Sequence, residues 1–183
     1  MLGNRKAQAA GMGFLVGIVA LAALGLAKAE QKKPVKKAPG VLRVCNEAGK
    51  ETTLAEAAWK KLPRQKVSVK GRGGAKVAYE GVALVDVLRH AEVPFGKHLR
   101  GPGVAMYVLT EAADGYRAVF ALAEIDPSTT DQVILVADRK DGKPLATADG
   151  PYRLIVPKDK IHSRWVKQVT KITVQSAAGK KAK

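Results

Sequence analysis

GPYRLIVPKDKIHSRWVKQVTKITV, residues 150–174, reads as a strand, a basic loop and a second strand. Tyr152, Leu154 and Val156 alternate with Arg153 and Ile155, and Pro157, which lacks a backbone donor, closes the run. Val169, Ile172 and Val174 then stand among Thr170, Lys171, Thr173 and Gln175, a β-type composition that ends at Ser176. Between the two runs lie Lys158, Lys160, His162 and Arg164, opposed by Asp159 alone and stopped by Trp165. A loop anchored in sheet at both ends presents cations in fixed directions, as recognition of a phosphate or another anion requires.

The chain before this stretch is read the same way. Val41–Cys45 is expected to be a strand, with a turn at Glu47–Lys50. Thr53 with Glu56 three residues on has the form of a capping box, so a helix is expected there, with Leu54, Ala57, Ala58 and Leu62 inward and Pro63 at its end. Gln65–Lys70 and Lys76–Tyr79 read as paired strands across Gly71-Arg72-Gly73-Gly74. Gly81 is expected to precede a second helix that buries Leu84, Val85, Leu88 and Ala91. Val104–Leu109 and Tyr116–Phe120 flank an Asp114-Gly115 turn, and Leu122–Ile125 is one helical turn before Asp126-Pro127. Val133–Ala137 is an unbroken apolar run, expected to be a strand buried on both faces. Short strands, two modest helices and no βαβ alternation predict an α+β fold with mixed or antiparallel sheets.

Length and charge bound the rest. The 183 residues suit one domain with appendages. Residues 1–29 read as a secretory signal: Arg5 and Lys6, an uncharged run from Ala9 to Ala27, then Ala27-Lys28-Ala29 as a small-x-small cleavage site. An uncleaved membrane anchor is the alternative; both expect the domain to be periplasmic or secreted. Residues 30–38 form a basic linker, 39–176 the domain and 177–183 a basic tail. The formal charge of +16 therefore resides in large part in Lys32, Lys33, Lys36, Lys37, Lys180, Lys181 and Lys183. Such ends favour weak, salt-sensitive contact with anionic surfaces, or stand solvated with no partner. Cys45 is the lone cysteine, so no internal disulfide forms and the core must carry stability.

Several chemistries are set aside. Gly71–Gly74 lacks dinucleotide-loop spacing, there is no Walker lysine and no HExxH pair, and His90, His98 and His162 are too scattered for a zinc site. No nucleophile elbow frames a serine. Aromatic residues are not interleaved with the basic ones, so no specific nucleic-acid binding is expected.

Tyr79-Glu80-Gly81-Val82-Ala83-Leu84 with Asp86-Val87-Leu88, Asp114-Gly115-Tyr116-Arg117, Asp141-Gly142-Lys143-Pro144-Leu145, Gly150–Pro157, and Arg164-Trp165-Val166 with Ile172-Thr173-Val174 occur in that order. Together they resemble the elements "GVPLRDLL", "DGY", "NGEPL", "GxPxRLVVP" and "KWL…IEV" of the sulfite-oxidase-type molybdopterin-binding domain, from Val41 to Val174. The resemblance implies that fold and a molybdopterin cofactor, whose metal is held by a dithiolene and one cysteine. Thiolate is a soft, strongly donating ligand that oxygen or nitrogen side chains imitate poorly. The family's cysteine falls where this chain has Val69-Lys70-Gly71-Arg72, and Cys45 lies one strand and one helix earlier.

The resemblance places Lys158, Lys160, His162 and Arg164 against the pterin phosphate, with Tyr116 and Arg117 lining the same cleft. A solvated cationic rim is the alternative for the four loop residues. Arg153 is expected to pair within the sheet, and Cys45 and Trp165 to be core. Three readings follow. The first is an exported domain that binds a small anion, a pterin-like ligand or an envelope protein partner without molybdenum catalysis. The second is an active molybdopterin oxidoreductase with non-protein ligation at the metal. The third is a charge-driven envelope or scaffold protein held to anionic surface by its lysines.

Overall fold

The computed structural model describes residues 40–71 and 74–178. The expected signal, the linker, Arg72-Gly73 and all but two residues of the tail lie outside the described residues.

Among the described residues ten strands fall into two sheets. In chain order they are β1 (Leu42–Cys45), β2 (Glu51–Leu54), β3 (Arg64–Lys70), β4 (Lys76–Ala83), β5 (Met106–Ala112), β6 (Arg117–Ala121), β7 (Leu135–Lys140), β8 (Lys143–Pro144), β9 (Arg153–Ile155) and β10 (Val169–Ser176). Sheet A has the order β2-β1-β10-β5-β6 and is antiparallel except where β1 and β10 run parallel. Sheet B has the order β3-β4-β7-β8, with β9 pairing β7 at Leu135–Ala137. The α-helices among the described residues are α1 (Glu56–Trp59) and α2 (Leu84–His90), and short 3-10 turns occur in the connections after α2. This is the expected α+β class.

The stretch that opened the reading joins the sheets. β9 belongs to sheet B and β10 to the middle of sheet A, so the basic loop crosses from one to the other. Its two arms are zipped: the Leu154 amide donates to the Val166 carbonyl at 2.8 Å, Val169 to Tyr152 at 2.9 Å and Gln168 to Asp149 at 2.9 Å. Leu154, Ile155 and Val156 are all buried, so β9 does not alternate as a half-exposed strand would. It is covered on both faces. One apolar cluster joins Leu42, Val108, Phe120 and Ile172 of sheet A to Val82, Leu135 and Leu154 of sheet B and to Leu84, Val87 and Leu88 of α2.

Three local expectations are corrected. Thr53 does not cap a helix: Glu51–Leu54 is β2, paired antiparallel with β1 through Leu42–Leu54 and Arg43–Thr53. The helix behind it is a single turn whose buried residue is Trp59, and its N-cap Ala55 makes no side-chain bond. Ladder bonds to β1 outweigh one capping bond when the segment holds two adjacent β-branched threonines. α2 begins at Leu84 and buries Val87 rather than Val85. Gly81, expected at the helix entry, sits inside β4 beside a bulge. A Cβ there would lie 2.0 Å from the Val136 carbonyl oxygen, so the closeness of β4 and β7 requires glycine.

Candidate functional site

A cleft of about 550 Å³ opens where the crossover loop, the β5–β6 turn and the ends of β3, β4 and β7 meet. That volume lies within the range of small-ligand sites. Its aromatic wall is Tyr79 and Trp165, both buried and meeting edge to face at 6.0 Å between centroids. His162 stacks on Trp165 at 3.7 Å and 16°, and the Trp165 indole N–H donates to the Val156 carbonyl at 3.0 Å. Tyr116 closes the other side, its hydroxyl donating to the Ser163 carbonyl at 2.7 Å.

The charges come from three elements. Arg153 of β9, Lys140 at the end of β7 and Lys167 after the crossover all line the cleft, with Asp114 as the carboxylate among the lining residues. Lys140 is positioned by the β7–β8 hairpin, where Asp141 and Gly142 both take positive φ, at 49° and 76°, as a two-residue turn of the favoured hand requires. Behind the wall, Asp149 lies 3.1 Å from Arg153 Nη1 and 2.8 Å from Lys167 Nζ. Burial alone would raise the Asp149 pKa, but the Lys167 bond and the Arg153, Lys167 and Lys140 charges bring it below its ordinary value. It stays ionised, so with Asp114 two carboxylates stand among three cations, one positive charge in excess.

Arg153 is the most constrained of them. Its side chain is 13% exposed, and its guanidinium lies 5.8 Å from the Tyr79 ring centroid and 5.9 Å from that of Trp165. Its Nε is buried with no hydrogen-bond partner. A buried guanidinium N–H without an acceptor is costly, so Arg153 gains by turning toward an anion in the cleft that its side chain lines.

Of the six residues singled out from the sequence, Tyr116 and His162 line this cleft. Arg164 is turned away from it. Its Nε and Nη2 reach Asp159 at 3.0 and 2.7 Å, its Nη1 reaches Glu124 at 3.1 and 3.3 Å, and its guanidinium covers the Phe120 ring at 4.8 Å. The Asp159 bonds, opposed by burial and reinforced by Glu124, raise its pKa further above the ordinary arginine value. Arg164 is thus the clamp of the loop. Arg117 faces outward and pairs with Glu111 at 2.9 Å. Lys158 and Lys160 are exposed and are not among the lining residues. Arg153 does pair, with Asp149, but it also faces the cleft, and Lys140 and Lys167 were not singled out at all. The signal for Lys140 was its place directly before the Asp141-Gly142 turn.

The cleft suits part of a molybdopterin and not the rest. The orphaned Arg153 Nε and the cation excess fit an anionic group, and the Tyr79–Trp165–His162 wall fits a planar ring. For the metal the donor set is wrong. Val69 and Gly71 line the cleft where the resemblance puts a cysteine. Cys45 is not a lining residue: its thiol donates to the Glu51 carboxylate at 3.4 Å. The turn after β1 is at the end of sheet A away from the cleft, because β1 runs parallel with β10 and the cleft borders the start of β10. Burial, then the Glu51 contact, raise the Cys45 pKa and keep it a thiol. Among the described residues no three His, Cys, Asp or Glu side chains group as metal ligands.

No curated protein matches the chain. Among solved structures it is similar to a chain of the sulfane dehydrogenase SoxCD from Paracoccus pantotrophus, with a TM-score of 0.58 and 17% identity. That alignment covers 78% of this chain and 40% of the other, so this chain spans well under half of its neighbour's length. The likeness is one of fold. Residues 37–182 match the family described as the oxidoreductase molybdopterin binding domain. The match spans most of the sequence, and the chain belongs to the oxidoreductase molybdopterin binding domain family.

Proposed function

We propose that this is an exported domain whose cleft binds a small anion or a pterin-like anionic ligand and does not carry out molybdenum catalysis. The observation that carries the reading is the half-satisfied Arg153, which lines a cleft with no cysteine among its lining residues and keeps a buried Nε without an acceptor. In the bound state the anion accepts from Arg153 and is balanced by Lys140 and Lys167, while Tyr79, Trp165 and His162 exclude water from one face of the ligand.

Two measurements test this. Elemental analysis of the purified native protein should give far less than one molybdenum per chain; a stoichiometric amount overturns the reading. Calorimetric titration with a pterin monophosphate and with inorganic phosphate should show binding that Arg153→Gln weakens at least tenfold, on the order of 1.4 kcal/mol or more. If the unaltered chain binds neither, the proposal fails. The family match over residues 37–182 favours one second reading, a molybdopterin oxidoreductase whose metal takes non-protein ligands. It requires pterin fluorescence after oxidation and dye reduction with a small oxo-substrate. Absence of both removes it.

A further inference from the structure

The most exposed large apolar side chain among the described residues is Ile161, at 76% of its free surface. It stands at the tip of the crossover loop, after the exposed Lys158 and Lys160. Neither lysine forms an ion pair among the described residues, since Asp159 between them is taken by Arg164. An exposed isoleucine on a floppy loop would carry little meaning. This loop is not floppy. Arg164 clamps it to Asp159 and Glu124, Tyr116 holds the Ser163 carbonyl, and His162 is stacked on Trp165. The side chains that stabilise the loop point inward, and those that do not are two cations and an isoleucine presented together.

We infer that the tip Lys158–Ile161 docks the domain on an anionic lipid bilayer, with the lysines among the headgroups and Ile161 below them. Two basic side chains around one apolar one match that surface, where charge attraction and shallow apolar burial add. An acidic protein would satisfy the tip as well. The formal charge of +16, unmatched by a comparable number of acidic residues, favours an extended anionic surface over a single acidic patch on a protein. His162 and Ser163, directly after the tip, line the cleft, so a docked domain holds the cleft mouth close to the headgroups. The inference does not depend on what the cleft binds.

The test uses the full chain with Cys45→Ala and a single environment-sensitive dye on Ile161→Cys. A control carries the dye on Glu47→Cys, in the turn at the far end of sheet A. With vesicles of phosphatidylcholine containing about 30% phosphatidylglycerol at low salt, the dye at 161 should brighten severalfold and shift to the blue, and the dye at 47 should not. Pure phosphatidylcholine should leave both unchanged. Adding Lys158→Glu and Lys160→Glu should raise the lipid concentration at half-effect more than tenfold, at about fivefold or more per lysine. The inference is overturned if the chain sediments with anionic vesicles while the dye at 161 stays dark, which would assign binding to the chain ends. It is also overturned if the two dyes respond alike, if the double charge reversal leaves the midpoint unmoved, or if the dye at 161 answers to soluble acidic protein and to no vesicle.

Discussion

Tyr152, just before β9, and Arg153, its first residue, have opposite duties. Arg153 faces the cleft; Tyr152 turns to the other side, packs on Trp59 at 4.6 Å between centroids and donates its hydroxyl to the Gly40 carbonyl at 3.1 Å. Beside them Asp138 accepts from Trp59 Nε1 at 2.8 Å and from both terminal nitrogens of Arg64 at 2.8 and 2.6 Å. Burial, followed by the Asp138 and Glu56 charges, pushes the Tyr152 pKa up to about 12. The unfolded phenol titrates near 10, so the contribution of the neutral form is complete below about pH 10 and is lost as pH rises toward 12. Tyr152→Phe should cost about 0.5–1.5 kcal/mol at pH 7 through the lost hydrogen bond. It should also flatten the fall of the urea midpoint between about pH 10 and 12, and equal slopes in the two proteins would refute the assignment. The sequence distinguished these residues poorly. Arg153 was expected to serve the sheet, and nothing in the alternation of Tyr152, Leu154 and Val156 announces that β9 is covered on both faces. Which cation keeps a free donor depends on where Asp149 and Lys167 arrive, and that is set by the crossover.

At the scale of elements, the strands with clear alternation and the Asp-Gly turns were legible, because each reports on its own neighbours. β2 was not. Thr53-Leu54-Ala55-Glu56 carries a helix-start signal, and its strand character comes from β1, which a local reading does not include. Gly81 was placed correctly in sequence and wrongly in structure: its role is set by Val136, 55 positions later in the chain. Gly81→Ala should therefore force β4 and β7 apart and destabilise the domain by roughly 3 kcal/mol or more, as read from chemical unfolding. A loss under about 1 kcal/mol, the ordinary glycine effect, would mean the close approach is absent. Arg164 gives the complementary case. Its ion pairs are half-exposed and hold a loop, so Arg164→Gln should cost only about 1–2 kcal/mol globally. Amide exchange over residues 157–164 should quicken far more than in β10; uniform quickening would show that the clamp supports the core.

For the whole molecule, composition and motif order were enough for the α+β class and the family, while the division into two sheets was not foreseen. It follows from β9 and β10 separating, which no stretch of 25 residues reveals by itself. β10 is the hub: it joins β1 on one side and β5 on the other, so without it β2-β1 and β5-β6 are unconnected ribbons. A chain ending at residue 168 should give no cooperative melting transition and rapid proteolysis. A sharp transition from that fragment would show that sheet B and the helices fold alone.

The parallel seam between β1 and β10 also sets a timetable. The first strand to leave the ribosome waits for the last, so sheet A cannot close during translation, which at common elongation rates takes on the order of ten to forty seconds. Throughout that interval β1 has β2 beside it and lacks β10, so one edge of the β1–β2 pair stays open and within reach of chaperones. That late closure follows from strand order alone.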